Sequence, residues 1–473
     1  AADQEIEKRL AEARKANGGK RPNFVYILLD DVGFGEIGTR EMSVVRGYDT
    51  PNIEKLAKNG MSLQRMYTEP SCTPTRVAFL TGRYPSRTGT MEAKTTLAGD
   101  GLNGEEVTIA EVLKEAGYYT SHVAKWHMGD IEQCFPNNQG FMHAEFPVHQ
   151  QAQLGMLNVD AEIADISRGV RPSPSMEPMT LDDLFVINPA HMVMGLEVKD
   201  GELHEVGVDA GQEWTQADYV EMNDRYQENA VEQLRSLAKQ DKPFFLNYWP
   251  LLPSTFTRID ITNPRTRNGG VWAEALTIVD DWIGEIVDEV EKLGIAENTV
   301  IIVMGDNGPF MQYAGLSGMV ERVYRGGKGD HLEGGVRVNA YVQWKGVIEP
   351  GSYAEDIFHV TDLFTTMARI GGGMDAIPRD RIIDGVDQTG ILLLGESHGR
   401  RDYVHIYEGP MLKSVVKMQY KMHLPDPGDN PVRAPLFDLY RDSRELRTED
   451  GFTYGTWSGG QFAGMIKRHM AFK

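Results

Sequence analysis

The chain is poor in cysteine and has no long apolar run. It has two cysteines, Cys72 and Cys134, among 473 residues. No disulfide framework beyond a single bridge is therefore possible, and the use of cysteine does not reveal the redox compartment. Because no apolar run approaches transmembrane length, we expect no membrane span.

Cationic side chains are also few. The chain has 48 Lys and Arg against 69 Asp and Glu, a formal net charge of −21. This balance argues against nucleic acid as a partner, because proteins that bind the phosphate backbone usually carry a basic face. A local cationic pocket for a small anion remains compatible with the composition.

Two nucleotide-binding signatures are missing as well. The polar loop at residues 325–335 is rich in glycine. However, the chain has neither Gly-x-x-x-x-Gly-Lys-Ser/Thr nor Gly-x-Gly-x-x-Gly between a strand and a helix. A nucleotide phosphate cradle is therefore rejected.

The pattern that is present predicts an α/β fold. Continuous apolar, β-branched runs at residues 23–29 and 299–304 are typical of buried strands in a parallel sheet, and helical patterns separate such runs along the chain. After about residue 385, short alternating segments predict an antiparallel sheet. The expected units are an N-terminal helical arm (1–21), a catalytic domain (22–385) with a variable excursion (130–211), and a smaller C-terminal α+β subdomain (386–473).

Both apolar runs end in adjacent oxygen-bearing side chains. Asp30 and Asp31 follow the first run, and Asp306 and Asn307 follow the second. Ligands bind at the carboxyl ends of the strands in open α/β sheets. Three carboxylates and an amide suit a hard divalent cation, Ca²⁺ or Mg²⁺, better than zinc. The alternative is that these residues only cap turns after the strands.

Further polar residues follow other predicted elements. Lys125 and His127 come after a strand at residues 118–124, and Lys328 lies in the glycine-rich loop. A lysine can hold an anion and a histidine can move a proton near neutral pH. Singly, such residues are usually ordinary surface or core groups.

The stretch around Cys72 predicts a helix start. Pro74 suits the first helical position, and apolar residues follow it. Cys72 would then lie where free N–H groups converge, with Arg76 about one turn on, so that an anion would be held or a thiol acidified there. The alternative is a buried cysteine that packs as a small hydrophobic residue.

These motifs together resemble one family. Cys72-Thr73-Pro74-Thr75-Arg76, with Thr81-Gly82-Arg83 after it, is similar to the Cys-x-Pro-x-Arg signature of formylglycine-dependent (type I) sulfatases, in the alkaline phosphatase superfamily. The other pieces follow in the family's order: Asp30-Asp31, Lys125-Trp126-His127-Met128-Gly129, Gly305-Asp306-Asn307-Gly308-Pro309, Gly326-Gly327-Lys328-Gly329, Glu333-Gly334-Gly335 and Leu436-Phe437-Asp438-Leu439-Tyr440.

The resemblance implies an alkaline-phosphatase-like fold and a mechanism. A separate maturase would oxidise Cys72 to formylglycine, whose hydrate would attack the sulfur of a sulfate ester beside a Ca²⁺ or Mg²⁺ ion. Lys125 and Lys328 would offset charge on the sulfuryl oxygens, and His127 would take a proton from the hydrate. Arg76 would hold the formylglycine and the carboxylates that bind the metal.

One position departs from the family pattern. After the strand at 243–249 the family usually presents a histidine that contacts sulfate and protonates the leaving oxygen, and here Ser254 stands near that place. Three explanations stay open: His331 takes the role, the leaving group is an aryl oxide that needs no acid, or the histidine has been substituted. Ser254 and His331 are therefore candidate substrate-binding residues.

The leading prediction is a sulfatase acting on a sulfated small molecule or saccharide. The alternatives are a phosphonate monoester or phosphodiester hydrolase with the same site, or a catalytically silent homologue that binds sulfate esters. Trp249, Tyr313 and Tyr324 could line a sugar or aryl site, or simply pack. The start at Ala-Ala-Asp is compatible with a trimmed signal peptide, which favours a periplasmic or secreted protein, and a cytoplasmic one stays open.

Overall fold

A computed structural model gives the structure of the chain. It describes residues 2–94, 99–147, 195–199, 202–206, 216–254, 263–310, 323–425, 434–448 and 452–472. For residues 195–220, 271 and 452–459 within these ranges, only the backbone is considered.

The strands form one main sheet and two smaller sheets. In chain order they are β1 Asn23–Leu29, β2 Met61–Leu63, β3 Met66–Tyr67, β4 Tyr119–Ala124, β5 His143–Pro147, β6 Gly195–Lys199, β7 Glu202–Val206, β8 Phe244–Trp249, β9 Thr299–Gly305, β10 Arg337–Val338, β11 Ala340–Trp344, β12 Ser352–Ala354, β13 Phe358–His359, β14 Tyr403–Glu408, β15 Met411–Lys417, β16 Tyr420–His423 and β17 Leu436–Asp438.

The helices connect these strands and cover the sheets. They are α1 Ala2–Ala16, α2 Arg40–Val45, α3 Pro51–Asn59, α4 Cys72–Thr81, α5 Pro85–Thr88, α6 Ile109–Glu115, α7 Gln216–Leu237, α8 Val271–Lys292, α9 Glu333–Val336, α10 Val360–Gly371, α11 Thr389–Leu394 and α12 Phe452–Ala471. Short 3₁₀ turns lie at Glu132–Cys134, Pro136–Gln139, Ala296–Asn298 and Met374–Ala376.

The main sheet has the strand order β12-β2-β11-β9-β1-β8-β4-β5-β6-β7. Its central strands β9, β1, β8, β4 and β5 are parallel, while β11, β6 and β7 pair antiparallel with their neighbours. The carboxyl ends of the parallel strands therefore meet along one edge, where the candidate active site lies.

Strand β1 lies at the middle of the sheet, and all seven of its residues are buried. Phe24, Tyr26 and Leu28 pack into the core on one face of the sheet, with residues of α4. Val25, Ile27 and Leu29 pack into the core on the other face, with residues of α8. Burial on both faces explains why the sequence of β1 is continuously apolar instead of alternating.

A four-stranded antiparallel sheet, β14-β15-β16-β17, follows the main sheet in the chain. Phe462 and Met465 of α12 pack against its apolar residues. The antiparallel pattern predicted after residue 385 is therefore confirmed. The boundary between a catalytic domain and a C-terminal subdomain at residues 385 and 386 stays a prediction.

Local features of the chain set the limits of several elements. Residues 61–67 form two strands in different sheets, because the chain turns at Gln64 and Arg65 between β2 and β3. Helix α6 begins at Ile109, because Thr108 and Glu111 form a capping box there. Within the excursion 130–211, strands β5 to β7 extend the main sheet, and residues 148–194 lie outside the described part.

None of the helices in the described residues is long and apolar enough to cross a membrane.

Candidate active site

The parallel strands deliver the predicted oxygen ligands to one place. β1 and β9 are neighbours, with Leu29 opposite Gly305. Asp30 and Asp31 follow β1, Asp306 and Asn307 follow β9, and the exposed fraction of each is at most 1%. The backbone N–H of Asp31 donates to Asp306 Oδ1 at 2.9 Å, which joins the two strand ends.

Three residues at these strand ends adopt the left-handed backbone region. Asp31, Ala124 and His127 have φ values of 60°, 77° and 64°. Ala124 and His127 flank Lys125, which follows β4. Such conformations cost roughly 1–3 kcal/mol each in residues other than glycine, and they concentrate at functional sites. The surrounding fold therefore holds Lys125 and His127 in a constrained turn.

Helix α4 places Cys72 beside the carboxylates. The helix begins at Cys72 itself, and Ser71 is its N-cap. The prediction that Pro74 is the first helical residue is therefore wrong. Ser71 has an extended backbone, with φ −148° and ψ 158°, so the helix starts two residues earlier and Pro74 occupies the third position. Proline is still tolerated there, because N–H groups in the first turn have no partner inside the helix.

Three cationic side chains meet the three carboxylates. Arg76 Nη2 lies 2.9 Å from Asp306 Oδ2 and 3.3 Å from Asp30 Oδ1. Lys125 Nζ lies 2.5 Å from Asp30 Oδ1, and Lys328 Nζ lies 2.7 Å from Asp31 Oδ1. These pairs offset the cost of burying the carboxylates, which would be several kcal/mol for each unpaired charge.

Trp249 supports this arrangement from β8. Its ring lies under the guanidinium of Arg76, with the Arg76 Cζ atom 4.6 Å from the ring centroid. Its side chain is fully buried. The idea that Trp249 lines a sugar or aryl site is therefore wrong, because no surface of this ring is left for a ligand. Tyr324 instead contacts the Arg337 guanidinium, and Tyr313 lies outside the described residues.

The carboxylates have unequal proton affinities. Burial alone would raise the pKa of Asp30, but the charges of Lys125, Lys328 and Arg76 outweigh it and hold that pKa well below the ordinary value. Burial and the neighbouring charge of Asp30 raise the pKa of Asp306 well above its ordinary value. An additional positive charge beside Asp30 and Asp306 would stabilise the ionised form of both carboxylates.

The donor set fits a hard divalent cation. Ligand atoms of Asp30, Cys72 and Asp306 lie within 4.8 Å of one another in a fully buried group. Asn307 Oδ1 is buried without a hydrogen-bond partner in the described residues, while its Nδ2 donates to Asp31 Oδ1 at 2.8 Å. An unsatisfied amide oxygen beside three carboxylates matches the oxygen ligands that Ca²⁺ and Mg²⁺ take.

His127 has a defined tautomer. Its Nε2 lies 2.9 Å from the backbone oxygen of Lys94, and since a carbonyl only accepts, Nε2 carries the proton. Nδ1 then carries the lone pair, and it is buried without a partner among the described residues. Burial, and then the charges of Lys125 and Arg76, hold the pKa of His127 well below its ordinary value. The imidazole is therefore a neutral base near pH 7.

The two candidate substrate-binding residues lie in different surroundings. Ser254 Oγ donates to Asp31 Oδ2 at 3.0 Å, so it contacts a predicted metal ligand. His331 Nδ1 lies 2.5 Å from Glu408 Oε1, and its ring packs against His423 with the ring centroids 4.6 Å apart. The structure thus groups Ser254 with the carboxylates and His331 with strands β14 and β16.

Two contributors were not found from the sequence. Lys94 acts through its backbone, which accepts from His127 and donates from its N–H to Thr73 Oγ1 at 3.2 Å. Backbone N–H and C=O groups are the same in nearly all residue types, so the sequence does not reveal such contacts. The sequence left Trp249 as a residue that lines a sugar or aryl site or simply packs, since nothing in it shows that the ring lies under Arg76.

The profile of the sulfatase family matches residues 22–373, most of the chain. The chain belongs to the sulfatase family. The family inferred from the Cys72 motif is thus confirmed, and the activity of the enzyme is hydrolysis of sulfate esters.

Individual relatives agree with this family. The enzyme is 29% identical to steryl-sulfatase of Rattus norvegicus over 446 residues, which cover 85% of this chain and 75% of the relative. It is 29% identical to N-acetylgalactosamine-6-sulfatase of the same species over 420 residues, which cover 86% of this chain and 72% of the relative.

A solved structure shows the same fold. The crystal structure of PsFucS1 sulfatase from Pseudoalteromonas sp. superposes with a TM-score of 0.82 and 27% identity, and it covers 99% of this chain and 94% of that one. The predicted fold, a central mostly parallel sheet flanked by helices with an antiparallel sheet after it, is confirmed.

Proposed function

We propose that the enzyme hydrolyses its sulfate ester through a formylglycine made from Cys72 by a separate maturase. The observation that supports this most is the position of Cys72. Its side chain is buried, and its Sγ lies within 4.8 Å of carboxylate oxygens of Asp30 and Asp306. An oxygen nucleophile derived from residue 72 would lie within reach of a cation held by these carboxylates.

Asp30, Asp31, Asp306 and Asn307 would hold a Ca²⁺ or Mg²⁺ ion. When bound, such a cation stabilises negative charge on neighbouring oxygens and makes a hydroxyl group a better nucleophile. Formylglycine, as its hydrate, provides the hydroxyl group. Arg76 bonds Asp30 and Asp306 together and so keeps their oxygens in fixed positions.

Lys125 and Lys328 would bind the transferring sulfuryl group. Their ammonium groups already lie at the site, 2.5 Å and 2.7 Å from Asp30 and Asp31. Burial acts to lower the pKa of Lys328, but the neighbouring charge of Asp31 and other acidic groups raise it well above the ordinary value. Its charge is therefore retained, and fixed charges in a water-poor site stabilise developing negative charge strongly.

His127 would accept a proton from the hydrated residue 72. Its Nδ1 has the lone pair, and its hydrogen bond to Lys94 fixes the ring. The overall reaction consumes one water, breaks the bond between sulfur and the alcohol oxygen, and releases the alcohol, sulfate and a proton. We assign His127 as the base that accepts a proton from the hydrated residue 72.

The leaving oxygen has no acid at the usual position. Ser254 donates to Asp31, so we propose that it positions this carboxylate instead of protonating the alcohol. His331, paired with Glu408, is the candidate acid for leaving groups that need one. Aryl leaving groups would depart without it.

The substrate is a sulfated small molecule or saccharide. Support for a saccharide comes from a similar structure, described as a complex with D-glucosamine-2-N,6-O-disulfate. Its identity to this chain is 16%. Export to the periplasm or beyond stays a prediction from the sequence.

The test compares substrates with one protein preparation. The chain should be produced together with a maturase and assayed with nitrophenyl sulfate, with a nitrophenyl phosphate diester and with a phosphonate monoester. A kcat/KM that is higher for the sulfate than for either phosphorus ester supports the proposal. Higher kcat/KM for the phosphorus esters contradicts it, and matured protein without turnover of any ester would indicate a binding homologue.

A further inference from the structure

Three hydrogen bonds form a closed ring between Thr73, Lys94 and His127. Thr73 Oγ1 donates to the backbone oxygen of His127 at 2.9 Å. His127 Nε2 donates to the backbone oxygen of Lys94 at 2.9 Å, and the backbone N–H of Lys94 donates to Thr73 Oγ1 at 3.2 Å. The ring joins three separate segments, which are the start of α4, the chain after α5 and the turn after β4.

The Thr73 hydroxyl takes part in this ring both as donor and as acceptor. The side chain is fully buried. A hydroxyl carries one proton, and the proton of Thr73 is donated to the His127 carbonyl. Thr73 directly follows Cys72, so the group that holds His127 belongs to the same helical turn as residue 72. The placement of the base relative to residue 72 therefore depends on this hydroxyl.

The backbone of His127 requires support from its surroundings. Its φ of 64° lies in the left-handed region, which residues other than glycine rarely adopt. Such a conformation persists only where neighbouring contacts hold it. The bond from Thr73 Oγ1 holds the carbonyl group of this same residue. Removal of the hydroxyl would release one of the contacts that keep the turn in place.

The imidazole of His127 depends on Thr73 through Lys94. The Lys94 carbonyl accepts from Nε2, which leaves the lone pair on Nδ1. The backbone N–H of Lys94 is in turn held by Thr73 Oγ1. The side chain of Lys94 adds a further anchor, because its Nζ lies 2.5 Å from Asp100 Oδ2. Thr73 therefore acts on His127 twice, directly at the carbonyl and indirectly at the ring.

We propose that Thr73 is a positioning residue for the hydrolysis of the sulfate ester. Its hydroxyl holds His127 in the orientation in which Nδ1 accepts the proton from the hydrated residue 72. The inference rests on the proposed function, since it concerns the base assigned there. Thr73 exchanges no proton with the substrate, because its own proton stays in the bond to the His127 carbonyl.

The alternative is that Thr73 only stabilises the fold, and Thr120 on β4 provides the matched comparison. Thr120 is also fully buried. Its Oγ1 donates to the backbone oxygen of Gly140 at 2.7 Å and accepts from the backbone N–H of Met142 at 3.2 Å. Thr120→Val therefore removes the same two kinds of hydrogen bond as Thr73→Val, but neither of them involves His127.

The first experiment measures kcat and KM for nitrophenyl sulfate with Thr73→Val, Thr73→Ser and Thr120→Val. Each kcat is divided by the formylglycine fraction from mass spectrometry, because a substitution beside residue 72 also affects maturation. We expect Thr73→Val to lower kcat about 10–100-fold, since misplacing a reacting group by about 1 Å costs about 100-fold. KM should not rise, because Lys125 and Lys328 are retained. Thr73→Ser, which keeps the hydroxyl, and Thr120→Val should stay close to the wild type.

Other results in this comparison would overturn the proposal. A kcat of Thr73→Val equal to that of the wild type would show that the hydroxyl does not position the base. An equal fall in Thr120→Val would show a general effect of losing a buried hydroxyl. A higher KM with unchanged kcat in Thr73→Val would assign Thr73 to substrate binding instead.

A double-mutant cycle with His127→Ala tests whether Thr73 acts through the base. Thr73→Val should cause no further loss of kcat in the His127→Ala background, because residues that act through one another are not additive. The same fold loss in both backgrounds overturns the inference and leaves the assigned base intact. His127→Ala with the kcat of the wild type would instead remove the base from the proposed function, and Thr73 with it.

A structural measurement gives an answer that does not depend on turnover. Crystal structures of Thr73→Val and Thr120→Val are determined with unmodified Cys72. We expect the hydrogen bond between His127 Nε2 and the Lys94 carbonyl to be lost in Thr73→Val and kept in Thr120→Val. A His127 ring that keeps its place and its bond to Lys94 in Thr73→Val would overturn the positioning role, whatever the protein hydrolyses.

Discussion

Ser254 Oγ donates a hydrogen bond to Asp31 Oδ2 at 3.0 Å. This contact places the serine, at the position where the family usually has a leaving-group histidine, against a predicted metal ligand. Lys328 Nζ and Asn307 Nδ2 both contact the other oxygen, Oδ1, of Asp31. The Asp31 carboxylate is therefore held on both oxygens, and Ser254 accounts for one of them.

Ser254→Ala should weaken metal-dependent activity. Groups that orient metal ligands typically contribute about 10–100-fold to metal affinity or activity, so we expect the Ca²⁺ concentration for half-maximal activity to rise about tenfold. Ser254→Thr retains the hydroxyl and should stay close to the wild type. An Ala variant with unchanged metal dependence would show that the hydrogen bond has no positioning role.

His331→Ala should distinguish substrates by leaving group. If His331 protonates the alcohol oxygen, its loss should lower kcat/KM by about 10²–10⁴-fold for an alkyl sulfate, the usual contribution of a general acid. Nitrophenyl sulfate should be affected far less, because nitrophenolate leaves without a proton. An equal loss for both esters would remove His331 from this role.

The acid limit of activity should lie below the ordinary histidine range. Burial, with the charges of Lys125 and Arg76, holds the pKa of His127 well below 6.5. As the pH falls through 6.5, the imidazole therefore stays neutral and able to accept a proton. The kcat/KM profile for nitrophenyl sulfate should show no loss centred at pH 6.5. A profile that halves there would contradict the assignment.

A buried lysine should stabilise the junction between the main fold and the C-terminal sheet. Lys421 Nζ, on β16, lies 3.1 Å from both Glu333 Oε1 and Glu445 Oε1. Lys421→Met removes the buried cation that these two carboxylates share, while Arg337 still contacts Glu333 and His423 still contacts Glu445. We expect the free energy of unfolding to fall by about 3 kcal/mol. Urea unfolding measures it.

Lys417→Met is the matched control for that variant. Lys417 pairs with the exposed Asp402 on the same sheet, so its loss should cost about 0–1 kcal/mol. Equal costs for both variants would show that the buried cluster adds no stability beyond a surface pair.

The same cluster sets a pH dependence of stability. Burial acts to raise the pKa of Glu445, but Lys421, His423 and a backbone N–H lower it to about 2. A depressed pKa stabilises the fold above the ordinary value of 4.5, and this contribution is lost as the pH falls from 4.5 toward 2. Urea midpoints in that range should fall more steeply for the wild type than for Lys421→Met.

The sequence predicted the residues of the site better than their contacts. Strand ends are readable because β1 and β9 are continuously apolar and Asp30 and Asp306 follow them directly. The start of α4 was misplaced because Pro74 is tolerated anywhere in the first turn. The contacts of Ser254 and the tautomer of His127 depend on chain segments far apart in sequence, which residue types alone do not encode.

The central claim is that residue 72 acts as formylglycine and not as cysteine. Preparations with different extents of maturation should be analysed by mass spectrometry of the peptide that contains residue 72, alongside kcat for nitrophenyl sulfate. The account predicts that kcat rises in proportion to the formylglycine fraction and vanishes when that fraction is zero. Full turnover by protein that retains unmodified Cys72 would contradict it.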